Sequence, residues 1–94
     1  MANRTINKYP VFNKERLLDF NEEFIIKIPK GAEVLCVQMQ NDAPQIWAIV
    51  DPNAEEEERK FLLAGTGWDQ DLSKYRYVGT FQALPFVWHL FENK

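Results

Sequence analysis

A single thiol, a single imidazole and a scatter of carboxylates are what this 94-residue chain offers for covalent or acid–base chemistry. Nucleophilic catalysis would need Cys36, the only cysteine, activated by His89, the only histidine. Both stand in apolar runs, Val34-Leu35-Cys36-Val37 and Val87-Trp88-His89-Leu90. There a thiol behaves as a small hydrophobe and an imidazole is ordinarily packed and hydrogen-bonded, so no dyad is expected. Asp51, Asp69 and Asp71 fall where acid–base residues can sit, but turn formers share those places. The glutamates 55–58 could hold a hard cation only if neighbouring side chains converged, and on a loop they splay apart. One cysteine and one histidine cannot make an intrachain disulfide or a Cys/His zinc cluster. The expectation is a protein without catalysis, metal or cofactor.

Binding chemistry is better represented. In Gly65-Thr66-Gly67-Trp68, closely spaced glycines let backbone N–H groups approach an anion, Thr66 can hydrogen-bond, and Trp68 offers a face on which a base can stack. Lys8, Lys60, Lys74 and Arg76 could contact phosphates, and Tyr9 is a second stacking candidate. A strand-ending turn anchored by a tryptophan needs no ligand, so this motif alone is a weak signal.

The elements that must position these residues read as strands punctuated by turns. Thr5 to Val11 suits an edge strand, because Pro10 cannot donate to a ladder. Residues 13–20 suit one or two helical turns after Asn13. The runs 24–28 and 34–40 flank the Pro29-Lys30-Gly31 turn, and 46–50 returns as a hairpin after Asn41-Asp42-Ala43-Pro44. Asn53-Ala54-Glu55-Glu56 has capping-box spacing, which predicts one helical turn within 52–58 before a strand at 60–64. Period-two alternation over 75–82 puts Tyr75, Tyr77 and Phe81 on one face and Arg76, Val78 and Thr80 on the other; a last strand covers 86–91. The fold class is therefore mainly β: a small antiparallel sandwich or curled barrel of six to seven strands in a single domain spanning 1–94, with at most one or two short helical turns.

Strict alternation puts Val34 and Cys36 opposite Leu35, Val37 and Met39, and Ile46, Ala48 and Val50 opposite Trp47 and Ile49, so both faces of these strands are apolar. A two-layer domain of this size buries one face of each sheet. A homo-oligomer is the simplest cover for the other, a closed barrel the alternative.

Composition narrows the function classes. Eleven Lys+Arg against fourteen Asp+Glu give a net charge of −3, which argues against a protein that grips long nucleic acid through a basic stripe. Hydrophobic residues at 46% and aromatics at 14% argue for a folded core rather than disorder. No apolar run approaches the roughly 20 residues that span a bilayer, and the N-terminus lacks the apolar centre of a secretory signal, so a cytosolic protein is expected.

Lys8-Tyr9-Pro10, the run 28–35, Gln38 and Gln40, the run 47–52, Gly65-Thr66-Gly67, Tyr77-Val78-Gly79-Thr80-Phe81 and His89-Leu90-Phe91-Glu92 together resemble a family of small proteins encoded by tailed bacteriophages, mostly domains of unknown function. The resemblance covers nearly the whole chain. Two departures stand out: the stretch from Val11 to Phe24 is longer than in the family, and Trp68 stands where a histidine more usually follows the Gly-Thr-Gly. The resemblance implies a phage protein in the cytoplasm of a bacterial host with a non-enzymatic role, similar to counter-defence sponges that trap cyclic nucleotides of bacterial immunity. The expected function is thus sequestration of a cyclic di- or trinucleotide by a homo-oligomer, with Lys8, Tyr9, Lys60, Thr66, Gly67, Trp68 and Arg76 as ligand-binding residues. The alternative is a protein–protein inhibitor or virion-associated interaction module with Trp68 in a hot spot.

Overall fold

The computed structural model describes residues 3–12, 23–83 and 85–94. Seven strands are formed: β1 (Thr5–Pro10), β2 (Phe24–Pro29), β3 (Glu33–Gln40), β4 (Ala43–Val50), β5 (Glu56–Gly65), β6 (Tyr75–Ala83) and β7 (Phe86–Asn93). They make two antiparallel sheets, a three-stranded one in the order β1-β4-β3 and a four-stranded one in the order β2-β5-β7-β6. The expected sandwich is what forms, with β1 at an edge. The helical turns expected at 13–20 lie outside the described residues. Among the described residues no helix is long and apolar enough to cross a membrane.

Local chemistry sets the turns. Asn41 and Asp42 both have positive φ, 52° and 64°, which gives the β3–β4 hairpin a two-residue turn of the kind whose twist matches its strands. Gly31, with φ of +79°, closes the Pro29–Ala32 turn that carries the chain from one sheet to the other. The helical turn expected within 52–58 is not formed. Residues 52–54 are a turn in which Asp51 accepts from the backbone N–H of Asn53 and Ala54, and β5 starts at Glu56, pairing with Pro29. Pairing with Lys27, Ile28 and Pro29 of β2 extends the strand through Glu58, Glu57 and Glu56, and pairing outweighs a capping signal.

The core lies between the sheets, where Ile28, Ile46, Val50, Phe61 and Leu90 are essentially inaccessible to solvent. Each such side chain contributes about 1.5–3 kcal/mol through burial. Ile46, Ala48 and Val50 face inward and Trp47 and Ile49 outward, as alternation predicts.

Two bulges break the alternation elsewhere. Leu35 is an extra residue in β3: Val34 pairs with Ala48 and Cys36 with Trp47, so Val34 faces the core and Cys36 does not. Val78 is the extra residue in β6: Tyr77 pairs with Phe91 while Phe81 pairs with Trp88, so Tyr77 lies on the outer face and Phe81 in the core. Both face assignments are corrected for one physical reason: a single inserted residue reverses the parity of everything beyond it. Between the bulged strands the two sheets approach closely. A Cβ on Gly79 would lie 2.7 Å from Val37 Cγ1, so only glycine permits this contact without a shift.

Candidate functional site

Where β3 of one sheet runs beside β6 of the other, the sandwich opens into a cleft of about 330 Å³. Ala32, Val34, Leu35 and Val78 supply apolar wall, and both bulges lie on it. At its base is Glu92, in line with Trp88 and Leu90 on the inner face of β7 and 3% exposed. Arg59 Nε donates to Glu92 Oε2 at 2.5 Å, and Arg59 Nη1 donates to the Ala32 carbonyl at 3.0 Å and meets Glu57 at 3.4 Å. The hydrogen bond to Glu92 holds the Arg59 guanidinium above its ordinary pKa, against the opposing effect of burial. Arg76 approaches Glu92 Oε1 at 3.5 Å, and its side chain is 62% exposed at the mouth. One buried carboxylate thus meets two guanidiniums, and only with Glu57 on Arg59 do the charges of the group balance.

A second hollow, about 260 Å³, lies at the other end of β7, four residues and therefore roughly 13 Å along the strand. The Gly65–Trp68 turn, the start of β7 and Pro85 line it. Gly67 has φ of +87°, and the Trp68 N–H donates to the Gly65 carbonyl at 3.1 Å, so the chain folds back and lays the indole over Gly65. Trp88 stands perpendicular to Trp68 at 5.4 Å between centroids, and Phe86 meets Trp88 at 5.5 Å and 63°. Trp68 is 43% and Phe86 56% exposed, so the aromatic wall is open to solvent.

A chain of hydrogen bonds runs from the hollow across the outer face of the four-stranded sheet. Thr66 Oγ1 donates to the Val87 carbonyl at 3.1 Å and lies 2.8 Å from His89 Nε2. His89 Nδ1 is 2.9 Å from Thr80 Oγ1, which is 2.6 Å from the Tyr77 hydroxyl. Further along this sheet, Tyr75 donates to Glu23 at 2.6 Å and Asn93 donates to the same oxygen at 2.7 Å. These bonds hold the Glu23 carboxyl below its usual range, while burial and Glu23 push the Tyr75 phenol up to about 12.

A family model described as Domain of unknown function (DUF7352) matches residues 2–94. The chain belongs to the DUF7352 family. No curated protein and no solved structure matches it.

In this DUF7352 chain the seven expected ligand residues are not one cluster. Thr66 and Trp68 line the aromatic hollow, Gly67 lies between them in the turn without lining it, and Arg76 belongs to the inter-sheet cleft. Lys60 is exposed on β5, opposite Ile25. Lys8 and Tyr9 are on β1 in the other sheet, where Lys8 Nζ donates to Gln40 and Tyr9 packs against the core. Cys36 and His89 are also in different sheets, and both ring nitrogens of His89 are engaged by threonines, so they form no dyad. No group of three potential metal ligands occurs among the described residues. Sequence reasoning missed Glu92 and Arg59, although Glu92 shares parity with Trp88 and Leu90, and Arg59 with Phe61 and Leu63; a charged residue in step with a core face is the signal.

Proposed function

We propose that the protein acts by capture rather than catalysis, holding the ring of a small cyclic nucleotide in the hollow beside Gly65 and Trp68, and that it serves a phage as a sponge for an immune signal. The observation that carries this is the pair of exposed rings, Trp68 and Phe86, backed by the buried Trp88 and beside Thr66, since every nucleobase has a face to stack and stacking contributes about 1–3 kcal/mol per base. The sequence resemblance to small phage proteins supports the biological setting.

No Lys or Arg lines the hollow. In the capture reading, the phosphates are therefore met by cations of a second copy packed against this end, in a homo-oligomer whose shared cleft excludes water and strengthens charge-assisted bonds. The same feature favours a second reading, in which Trp68 and Phe86 are a hot spot for an apolar side chain of a protein partner.

Isothermal titration against a panel of cyclic di- and trinucleotides separates them. Saturable heat with nanomolar affinity, about −12 kcal/mol, is expected for a sponge. Flat traces across the panel, with a stoichiometric protein recovered from infected cells, would establish the partner reading instead.

A further inference from the structure

Residues paired across an antiparallel ladder share a face of the sheet. On the outer face of the three-stranded sheet this makes a row of Ile6, Ile49 and Glu33 and a second row of Lys8, Trp47 and Cys36, in the order β1, β4, β3. None of these side chains is buried, while Ile46, Ala48 and Val50, which alternate with them on β4, fill the core. Ile6 is 60% exposed, so an apolar side chain of a strand stands open to water. The outer face of the four-stranded sheet carries instead the chain of hydrogen bonds from Thr66 to Tyr77.

The two charges of this face are set apart. Lys8 stands on β1 in the middle row, but its amine reaches across β4 and donates to Gln40 near the far end of β3. Glu33 stands at the opposite end of β3, exposed and without an ion pair among the described residues.

We infer that a second copy of the chain docks on this face, sheet against sheet, about a two-fold axis that crosses the strands along the row of Lys8, Trp47 and Cys36. Trp47 of one copy then meets Trp47 of the other, and the row of Ile6, Ile49 and Glu33 lies over the other copy's row of Pro10, Gln45 and Gln38. Glu33 of each copy thus lies over Gln38 of the other, beside Gln40, which is where the Lys8 amine already points. Packed sheets are about 10 Å apart, a gap that a lysine and a glutamate side chain bridge between them. The contact is self-complementary, with an apolar centre and a Lys8–Glu33 pair on each side. A two-fold axis along the strands would instead set Glu33 on Ile6 and Lys8 on Cys36, each charge against an apolar side chain, and is disfavoured. The inference does not rest on the capture reading. The hollow belongs to the other sheet, and this face adds an interface to the one that reading places there.

Charge reversal tests it with the full-length chain. Sedimentation velocity over a dilution series is run on the wild type, on Lys8→Glu, on Glu33→Lys and on an equimolar mixture of the two variants, with circular dichroism to follow the fold. Both residues are exposed, and both variants are expected to keep the wild-type spectrum. The wild type is expected to pair, and each variant alone to pair at least about tenfold more weakly, because like charges then meet on both sides of the contact. In the mixture every reversed residue meets its opposite, and pairing near the wild-type strength is expected. A wild type that does not self-associate at any concentration overturns the inference, as does a wild-type assembly that neither reversal weakens. Two weakened variants whose mixture stays weak also overturn it. None of these results changes the nucleotide titrations, which decide capture separately.

Discussion

The indole of Trp68 covers Gly65 so closely that a Cβ at position 65 would lie 2.6 Å from Trp68 Cε2 and 2.8 Å from Cδ2. Gly65 pairs with Trp88 in the β5–β7 ladder, so the ring that closes the hollow rests on the backbone of the sheet itself. Gly65→Ala must push the indole away. The expected outcome is a folded protein with altered tryptophan fluorescence, stability lower by about 1–3 kcal/mol from the overpacking, and loss of nucleotide binding; urea denaturation and titration read the two effects separately.

The Arg59–Glu92 pair is the buried charge on which the inter-sheet cleft rests. Glu92→Gln takes from Arg59 its closest and most buried counter-charge and leaves only the 3.4 Å contact with Glu57, which is expected to cost about 3 kcal/mol in urea denaturation. Arg76→Ala removes an exposed partner at 3.5 Å and is expected to cost less than about 1 kcal/mol. An Arg76→Ala loss as large as that of Glu92→Gln would show that Arg76 rather than Arg59 carries the contribution of Glu92.

Gly79 is the place where β6 passes Val37 of the opposing sheet. Gly79→Ala drives a methyl into Val37 Cγ1, and a loss of about 1–3 kcal/mol is expected. Adding Val37→Ala should recover part of that loss, so the pair is expected to be non-additive in a double-mutant cycle.

One hydrogen bond, Tyr75 to Glu23, gives stability opposite pH limits at its two ends. The Tyr75 phenol is raised from 10.0 to about 12, so its contribution is complete below pH 10 and is lost as pH rises through about 12. The Glu23 carboxyl is lowered from 4.5, so its contribution is present above pH 4.5 and is lost as pH falls through the lowered value. Thermal midpoints measured across pH should lose the alkaline limb in Tyr75→Phe and the acid limb in Glu23→Gln.

Most of the fold was legible because β-branched runs such as Phe24–Ile28 and Ile46–Val50 are bounded by Pro-Gly and Asn-Asp turns, whose chemistry is local. The bulges at Leu35 and Val78 were not, since no residue type marks an insertion that depends on the partner strand. That single gap misplaced Val34 against Cys36 and Tyr77 against Phe81. The turn 65–68 was legible as a candidate site because glycine spacing and an aromatic are neighbours in sequence. Its link to His89 was not, because Thr66 and His89 meet through the β5–β7 register. The cations Lys8, Lys60 and Arg76 could be listed from sequence but not sorted among two sheets and two faces, which is a matter of topology.

Native mass spectrometry of the protein mixed with cyclic dinucleotides bears most directly on capture in the hollow, since it counts protomers and ligands in one spectrum. The expected result is an oligomer carrying ligand of unchanged mass in the wild type, and the same oligomer without ligand in Trp68→Ala. A wild-type monomer that carries nothing, or ligand whose mass has changed, would contradict it.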